Sequence, residues 1–256
     1  MRTAIYVDEA NIHMNGGYGM NYKILKDLVV KSDSELIHAI SYIIEDSQRR
    51  QTDVDYDQKQ RRFYWQLRQA GFLVKTKTMR RYEQDDGTII TKGDMDVEIT
   101  VDALLHAKHV DRYIFLTGNG DFHRLICALQ DMGKRVEIIG FGNVSRALQE
   151  TADQYICGFA IKDLVPPPEK DFLLGYPVLY VPAGGYGFIK YYLVDADFGL
   201  QEKTIYFHID ESFEEIPEDM NEIGRESCVY QFLIGQMSDG RTIARDVKIL
   251  RRSVRT

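Results

Sequence analysis

The 256-residue chain has three cysteines, Cys127, Cys157 and Cys228, far apart and without a CxxC pair. That excludes a disulfide framework and a cysteine zinc site, and points to reduced thiols packed as small core residues in a cytoplasmic protein. No apolar run approaches the ~20 residues that a membrane span needs, so no membrane partner is expected. The opening MRTAIYVDEANI carries Asp8 and Glu9 inside its apolar run and does not read as a secretory signal. The six histidines (His13, His38, His106, His109, His123, His208) show no HxH or HExxH spacing. His106 and His109, at i and i+3, are read as packing residues. Neither GxSxG nor a P-loop occurs, so serine-hydrolase and Walker-type chemistry are excluded.

What remains is an ordinary globular composition, with 44% hydrophobic and 28% charged residues, and a length that fits two small domains. The net charge of −7 opposes nucleic acid as a partner, but its distribution does not. Residues 49–81 hold ten Lys/Arg (Arg49, Arg50, Lys59, Arg61, Arg62, Arg68, Lys75, Lys77, Arg80, Arg81) against three acids. Screening limits remote charges to about 10 Å, so such a stretch can attract phosphate on an acidic protein. A solvated helix face is the equal alternative.

Three consecutive prolines, Pro166–Pro168, divide the chain. They favour an extended spacer and cannot continue a helix or a central strand. The reading is a first domain over 1–165, a linker over 166–175 and a second domain over 176–256. Before the prolines, apolar strands alternate with helical patterns. TAIYVDEA, FLVKTKTM, RYIFLTG and RVEIIGF read as strands. NYKILKDLVVKS, DQKQRRFYWQLRQAG, MDVEITVDALLHAKHV, DFHRLICALQDMG and SRALQETADQY read as helices, with LIHAISYIIED ending in a strand. This alternation predicts an α/β fold, a parallel sheet covered by helices on both faces, with ligands beyond the carboxyl ends of its strands.

Aspartates sit at those ends. Asp8 follows AIYV, and Asn11 lies where the chain turns. Asn119 and Asp121 follow YIFLTG, where Gly118 and Gly120 permit a tight backbone. Asp94 and Asp96 follow Gly93 and open a helix; Asp102, six residues past Asp96, is off the matching face. Carboxylates brought together repel, and a hard divalent cation such as Mg²⁺ relieves them, takes substrate phosphate and activates water. Singly, each aspartate fits better as a helix cap or turn residue. Their coincidence at one sheet edge favours a site.

The motifs AIYVDEANI, TKGDMDVEITVDAL and LTGNGDFHRLICALQDMGKRVEIIGF resemble those of the NYN domain family, a branch of the PIN-like nucleases. The resemblance covers residues 1–165 and implies a ribonuclease dependent on Mg²⁺ or Mn²⁺. It implies Asp8, Asp96 (KGxxD) and Asp121 (GxxDF) as metal ligands and catalytic residues, with Asn11 and Asn119 orienting water or phosphate. The family often has aspartate where this chain has Asn119; an amide offers a carbonyl oxygen but no charge. Lys92 reads as a phosphate contact or an exposed turn residue.

Beyond the prolines, short aromatic strands alternate with turns. Tyr186 and Phe188 share one strand face, and Tyr206 and His208 another, as a stacking platform for bases. GYGFI and IYFHI are similar to the RNA-binding motifs of the cold-shock domain, a small OB-fold barrel, and Gly224, Val229, Phe232, Gly240, Ala244 and Val247 to its closing strands. Leu179 and Gly184 depart from that pattern, and residues 166–256 hold ten basic against fifteen acidic side chains. Arg251, Arg252 and Arg255 form a local basic run.

The leading expectation is a metal-dependent endoribonuclease of single-stranded RNA. Arg61, Arg62, Arg80, Arg81 and Lys92 guide the strand, and Tyr186, Phe188, Tyr206 and His208 stack its bases. The alternatives are a weakly active or inactive RNA-binding regulator, and a scaffold whose barrel docks proteins. Self-association stays open.

Overall fold

The computed structural model describes residues 1–30, 34–83, 89–195, 199–213 and 229–250; of residues 30, 80–83, 89–92 and 195 it describes the backbone alone. Gly224, Cys228, Arg251, Arg252 and Arg255 lie outside the described residues.

In chain order the elements are β1 (Arg2–Asp8), α1 (Glu9–Met14), α2 (Tyr22–Val30), β2 (Glu35–Glu45), α3 (Ser47–Thr52), α4 (Val54–Gln69) and β3 (Leu73–Thr78). Next come β4 (Arg80–Glu83), β5 (Ile89–Lys92), α5 (Asp96–His106), β6 (Arg112–Leu116), α6 (His123–Asp131), β7 (Arg135–Gly140), α7 (Arg146–Thr151) and β8 (Gln154–Cys157). The last are β9 (Leu173–Val181), β10 (Tyr186–Asp195), β11 (Gly199–His208), α8 (Ile209–Ser212), β12 (Val229–Gln236) and β13 (Thr242–Leu250).

Packing divides these into two compact units. One holds residues 1–15, 33–140 and 144–155; the other holds 16–32, 141–143 and 156–256. The predicted helix over 22–30 thus belongs with the unit that contains the barrel.

The six-stranded sheet runs β3-β2-β1-β6-β7-β8, and β3 through β7 pair in parallel. Strands this apolar are buried on both faces: every residue of β1 after Arg2 is buried. Ala4 and Tyr6 face a core built with Ile99 and Ala103 of α5 and Leu125, Ile126 and Leu129 of α6. The Tyr6 ring lies 5.3 Å from Phe115, 5.8 Å from Tyr113 and 6.0 Å from Tyr42, an offset-stacked layer beneath the sheet's carboxyl edge. Helix α4 ends at Gly71 (φ 88°) and α6 at Gly133 (φ 73°), the left-handed stops that the sequence implies. At the opposite edge Glu137, 2% exposed, accepts from Arg112 Nε at 2.9 Å and Nη2 at 2.6 Å and from Arg135 Nε at 2.6 Å.

Chain order along the sheet reverses at β1, which has β2 on one side and β6 on the other. Register pairs Val7 with Leu116, so Asp8 and Thr117 emerge side by side. This is the switch point where open α/β sheets bind ligands.

The second unit contains a closed barrel, β10-β11-β13-β12-β9, consistent with an OB-like fold. Meanders are antiparallel, and β11 meets β13 in parallel at Tyr206 and Ile243. Alternation puts Ile189, Tyr191, Ile205, Phe207, Tyr230 and Phe232 inside.

Candidate functional site

Asp8 ends β1 and is 7% exposed. Its Oδ1 accepts the Asn11 amide at 3.2 Å, capping α1, and its Oδ2 accepts the Thr117 hydroxyl at 3.2 Å. Burial pushes its pKa up to about 6, partly offset by the Asn11 amide and reinforced by the charge of Asp96. Asp96 is likewise raised, by burial first and then by Asp94, against the stabilising Asn119 bond, with Asp121 adding to the rise. Asp8 thus feels the charge of Asp96 and Asp94, and Asp96 that of Asp94 and Asp121.

The cap alternative applies only to Asp8. Helix α5 is preceded by Met95 and α6 by Phe122, and neither start has a side-chain cap. Asn119 does the capping near Asp121: its Oδ1 accepts the Asp121 amide at 3.1 Å across the short 3-10 turn Gly120–Phe122. Its Nδ2 donates to Asp96 Oδ2 at 2.9 Å, tying the β6 tip to the start of α5. An aspartate could cap but could not donate, and would face Asp96 with like charge. Asn11 Oδ1 accepts the Gly118 amide at 2.7 Å, which locks the β1 and β6 tips together.

Two glycines serve close approach. A Cβ on Gly120 would stand 2.9 Å from Ser145 Oγ, and one on Gly93 2.8 Å from Ile44 Cγ2. Neither takes positive φ, so the tight turn expected there needs space and not a left-handed backbone. Lys77 Nζ fixes the segment after Gly93, donating to the Asp94 carbonyl at 3.0 Å and pairing with Glu98 at 2.9 Å.

Thr117 is not among the residues that the sequence singles out. It donates to Asp8 and accepts the Asn119 amide at 3.1 Å. The signal for it is a hydroxyl residue between an apolar strand and a glycine turn. Asp102 stands apart: it accepts from Lys75 Nζ at 2.6 Å and Tyr42 Oη at 2.7 Å. Burial would raise its pKa, but these two bonds outweigh it and hold the group below its usual value.

Hard carboxylate oxygens with mutual repulsion, free of thiols and imidazoles, are the donor chemistry of Mg²⁺ or Mn²⁺. Among the described residues no group of three or more His, Cys, Asp or Glu side chains is placed to hold a metal ion. Asp8, Asp96 and exposed Asp121 therefore share the donor chemistry of such an ion without forming a ligand group in this arrangement.

The basic stretch is less free than its count implies. Arg50 pairs with Glu45 at 2.8 Å and Asp57 at 2.9 Å, Arg49 with Asp53 at 3.2 Å, and Arg61 with Asp57 at 2.7 Å. Arg62, on the exposed side of α4, has no carboxylate partner among the described residues. The side chains of Arg80, Arg81 and Lys92 lie outside the described residues, although their backbones pair in the β4–β5 hairpin.

On the barrel, Tyr186 pairs in register with His208, and Phe188 with Tyr206. The Tyr186 and Tyr206 rings stack at 6.0 Å, and Phe188 meets Tyr206 edge-on at 5.8 Å. All four are partly exposed, while Phe207 between them is buried. Leu179, half-exposed, sits opposite Phe188 and extends this face with an aliphatic surface.

A parallel sheet with aspartates at the ends of its switch-point strands is the architecture of the PIN-like nucleases. The chain belongs to the NYN domain family, whose sequence pattern it matches over residues 2–161. That family is generally one of nucleases, hydrolases with RNA as substrate. Low amplitude and bright protein LabA of Synechococcus elongatus is 24% identical over 176 residues, covering 66% of this chain and 90% of LabA. A protein of unknown function from Vibrio parahaemolyticus, solved by crystallography, is 31% identical and covers 60% of this chain and 91% of its own, with a TM-score of 0.49.

Proposed function

We propose that this chain is a divalent-metal-dependent endoribonuclease acting on single-stranded RNA, with the barrel assisting RNA binding. The observation that supports this reading is the pair Asp8, at the end of β1, and Asp96, at the start of α5, each raised by burial and by neighbouring negative charge, with Asp96 acting on Asp8. A protein keeps such a costly pair where function uses it. Asp8, Asp96 and Asp121 would hold Mg²⁺ or Mn²⁺, which when bound activates water and neutralises charge developing on phosphate. The chain's own contribution is orientation. The Asn11 amide and Thr117 hydroxyl aim the Asp8 carboxylate. Asn119 holds Asp96 with its amide nitrogen and the Asp121 backbone with its oxygen. Tyr186, Phe188, Tyr206 and His208 form the stacking surface proposed for bases, as in cold-shock-like domains, and Arg61 and Arg62 contact the backbone.

A second reading has one specific observation in its favour. Asn119 occupies an Asp96 oxygen and supplies no charge, which suits a weakly active or inactive RNA-binding regulator.

The test is incubation of end-labelled single-stranded RNA with Mg²⁺, Mn²⁺ or EDTA. Internal cleavage is expected with either ion, and is abolished in EDTA and in Asp8→Asn and Asp121→Asn. RNA left intact, while both variants bind Mn²⁺ as the parent does, would refute the nuclease. Metal-independent, salt-sensitive RNA binding would then establish the regulator.

A further inference from the structure

We infer that the outer face of α4 is a second docking surface for single-stranded nucleic acid, built around Trp65 as a base-stacking residue and bracketed by arginines. This rests on RNA as the partner, but not on cleavage. Trp65 is the single tryptophan of the chain and is 61% exposed on a helix whose Tyr64 and Leu67 are buried. Arg61, Arg62 and Arg68 stand at i−4, i−3 and i+3 from it, on the same side. At about 1.5 Å rise per residue, Arg61 lies about 6 Å to one side of Trp65 along the axis and Arg68 about 4.5 Å to the other. That is an aromatic face between two cations, the arrangement that takes one base and its flanking phosphates.

The neighbours make the exception visible. Tyr56 of the same helix carries the Arg49 guanidinium 4.5 Å from its ring centre, and Tyr64 has Arg50 at 5.9 Å. Trp65 has no ring, cation or hydrogen-bond partner among the described residues, and neither Arg62 nor Arg68 has a carboxylate there. Arg61 shares Asp57 with Arg50, so one carboxylate serves two guanidiniums. The acids of α4, Asp55 and Asp57, sit in its first turn, leaving the remaining exposed face of one sign. An apolar ring flanked by Arg62 and Arg68, with no acid beyond the first turn of the helix, matches a polyanion that carries flat rings of its own, which selects nucleic acid over an acidic peptide.

Because Trp65 is the chain's one tryptophan, its emission reports this surface and no other. The experiment titrates an unlabelled ten-nucleotide single strand into the full chain in EDTA at low salt, following Trp65 emission, and repeats it with a labelled strand by anisotropy. Quenching should track binding with the same midpoint. Trp65→Ala should weaken binding about 5- to 150-fold, the range for removing one base stack. Arg62→Glu with Arg68→Glu should weaken it further and lower the salt slope by about 0.7 for each phosphate left unneutralised, with the circular dichroism unchanged. Binding by anisotropy with unaltered emission and an unimpaired Trp65→Ala overturns this surface and leaves the nuclease reading standing. Emission that shifts with protein concentration alone makes α4 a self-association face and overturns it too. No binding at all at low salt removes RNA as partner, and both readings with it.

Discussion

Asp8→Asn should stabilise the metal-free protein. Asp8 is 7% exposed, and its pKa stands near 6 against an ordinary 3.8. The folded state therefore holds this proton in a window where the unfolded chain has released it. Stability from this group is fully present below pH 3.8 and is lost as pH rises through about 6. Ionising Asp8 at neutral pH costs the folded state about 3 kcal/mol. Asparagine removes that cost and keeps the contacts: its Oδ1 still accepts the Asn11 amide, and its Nδ2 can donate to Thr117. In urea with EDTA, followed by Trp65 emission, Asp8→Asn should exceed the parent by about 2–3 kcal/mol at pH 7.5 and match it at pH 4. A divalent cation at a hundredfold excess over Kd should cancel the difference at pH 7.5, because it stabilises the parent by about 2.7 kcal/mol, and a thousandfold excess, worth about 4.1 kcal/mol, should reverse the order. If the variant is less stable than the parent by the same amount at both pH values, Asp8 is a helix cap and the charge argument fails.

Asn119→Asp should keep the cap on the Asp121 amide, remove the donor to Asp96 and add a like charge; we expect a loss of about 1–3 kcal/mol in EDTA and tighter Mn²⁺ binding, read by melting and by calorimetric titration. Unchanged stability would show that the Asn119–Asp96 bond carries no weight. Tyr206→Ala removes one face of the barrel platform without touching buried Phe207, and should weaken single-strand binding by about 1–3 kcal/mol in anisotropy at constant salt. Glu137→Gln removes the buried negative charge that Arg112 and Arg135 share, and should cost about 3–5 kcal/mol in urea unfolding while cation binding stays unchanged.

Much of the fold is readable from sequence. Period and composition report how each segment is buried, so the helices over 54–69 and 123–131 and their glycine stops follow from local pattern. The alternation of Tyr186, Phe188, Tyr206 and His208 places them on one strand face each, and register puts the two faces side by side. The charge count of 49–81 is the weaker guide, because it cannot show that Arg49, Arg50 and Arg61 are answered by Asp53, Glu45 and Asp57. Nor can it isolate Trp65, whose exposure depends on which side of α4 finds the sheet.

By itself the sequence determined an alternating α/β chain with aspartates where apolar strands end, then a change to short aromatic strands after Pro168. Those are local properties, set by side-chain period and by the backbone limits of glycine and proline. Tertiary structure alone decided that β1 and β6, about a hundred residues apart, lie side by side, that residues 16–32 belong with the barrel's unit, and that Asn119 and not Asp121 is the cap. The reason is physical. A strand's sequence encodes that it will be covered, but its neighbour is chosen by hydrogen bonding and packing summed over the whole sheet. The charge that Asp96 exerts on Asp8 follows from that sum.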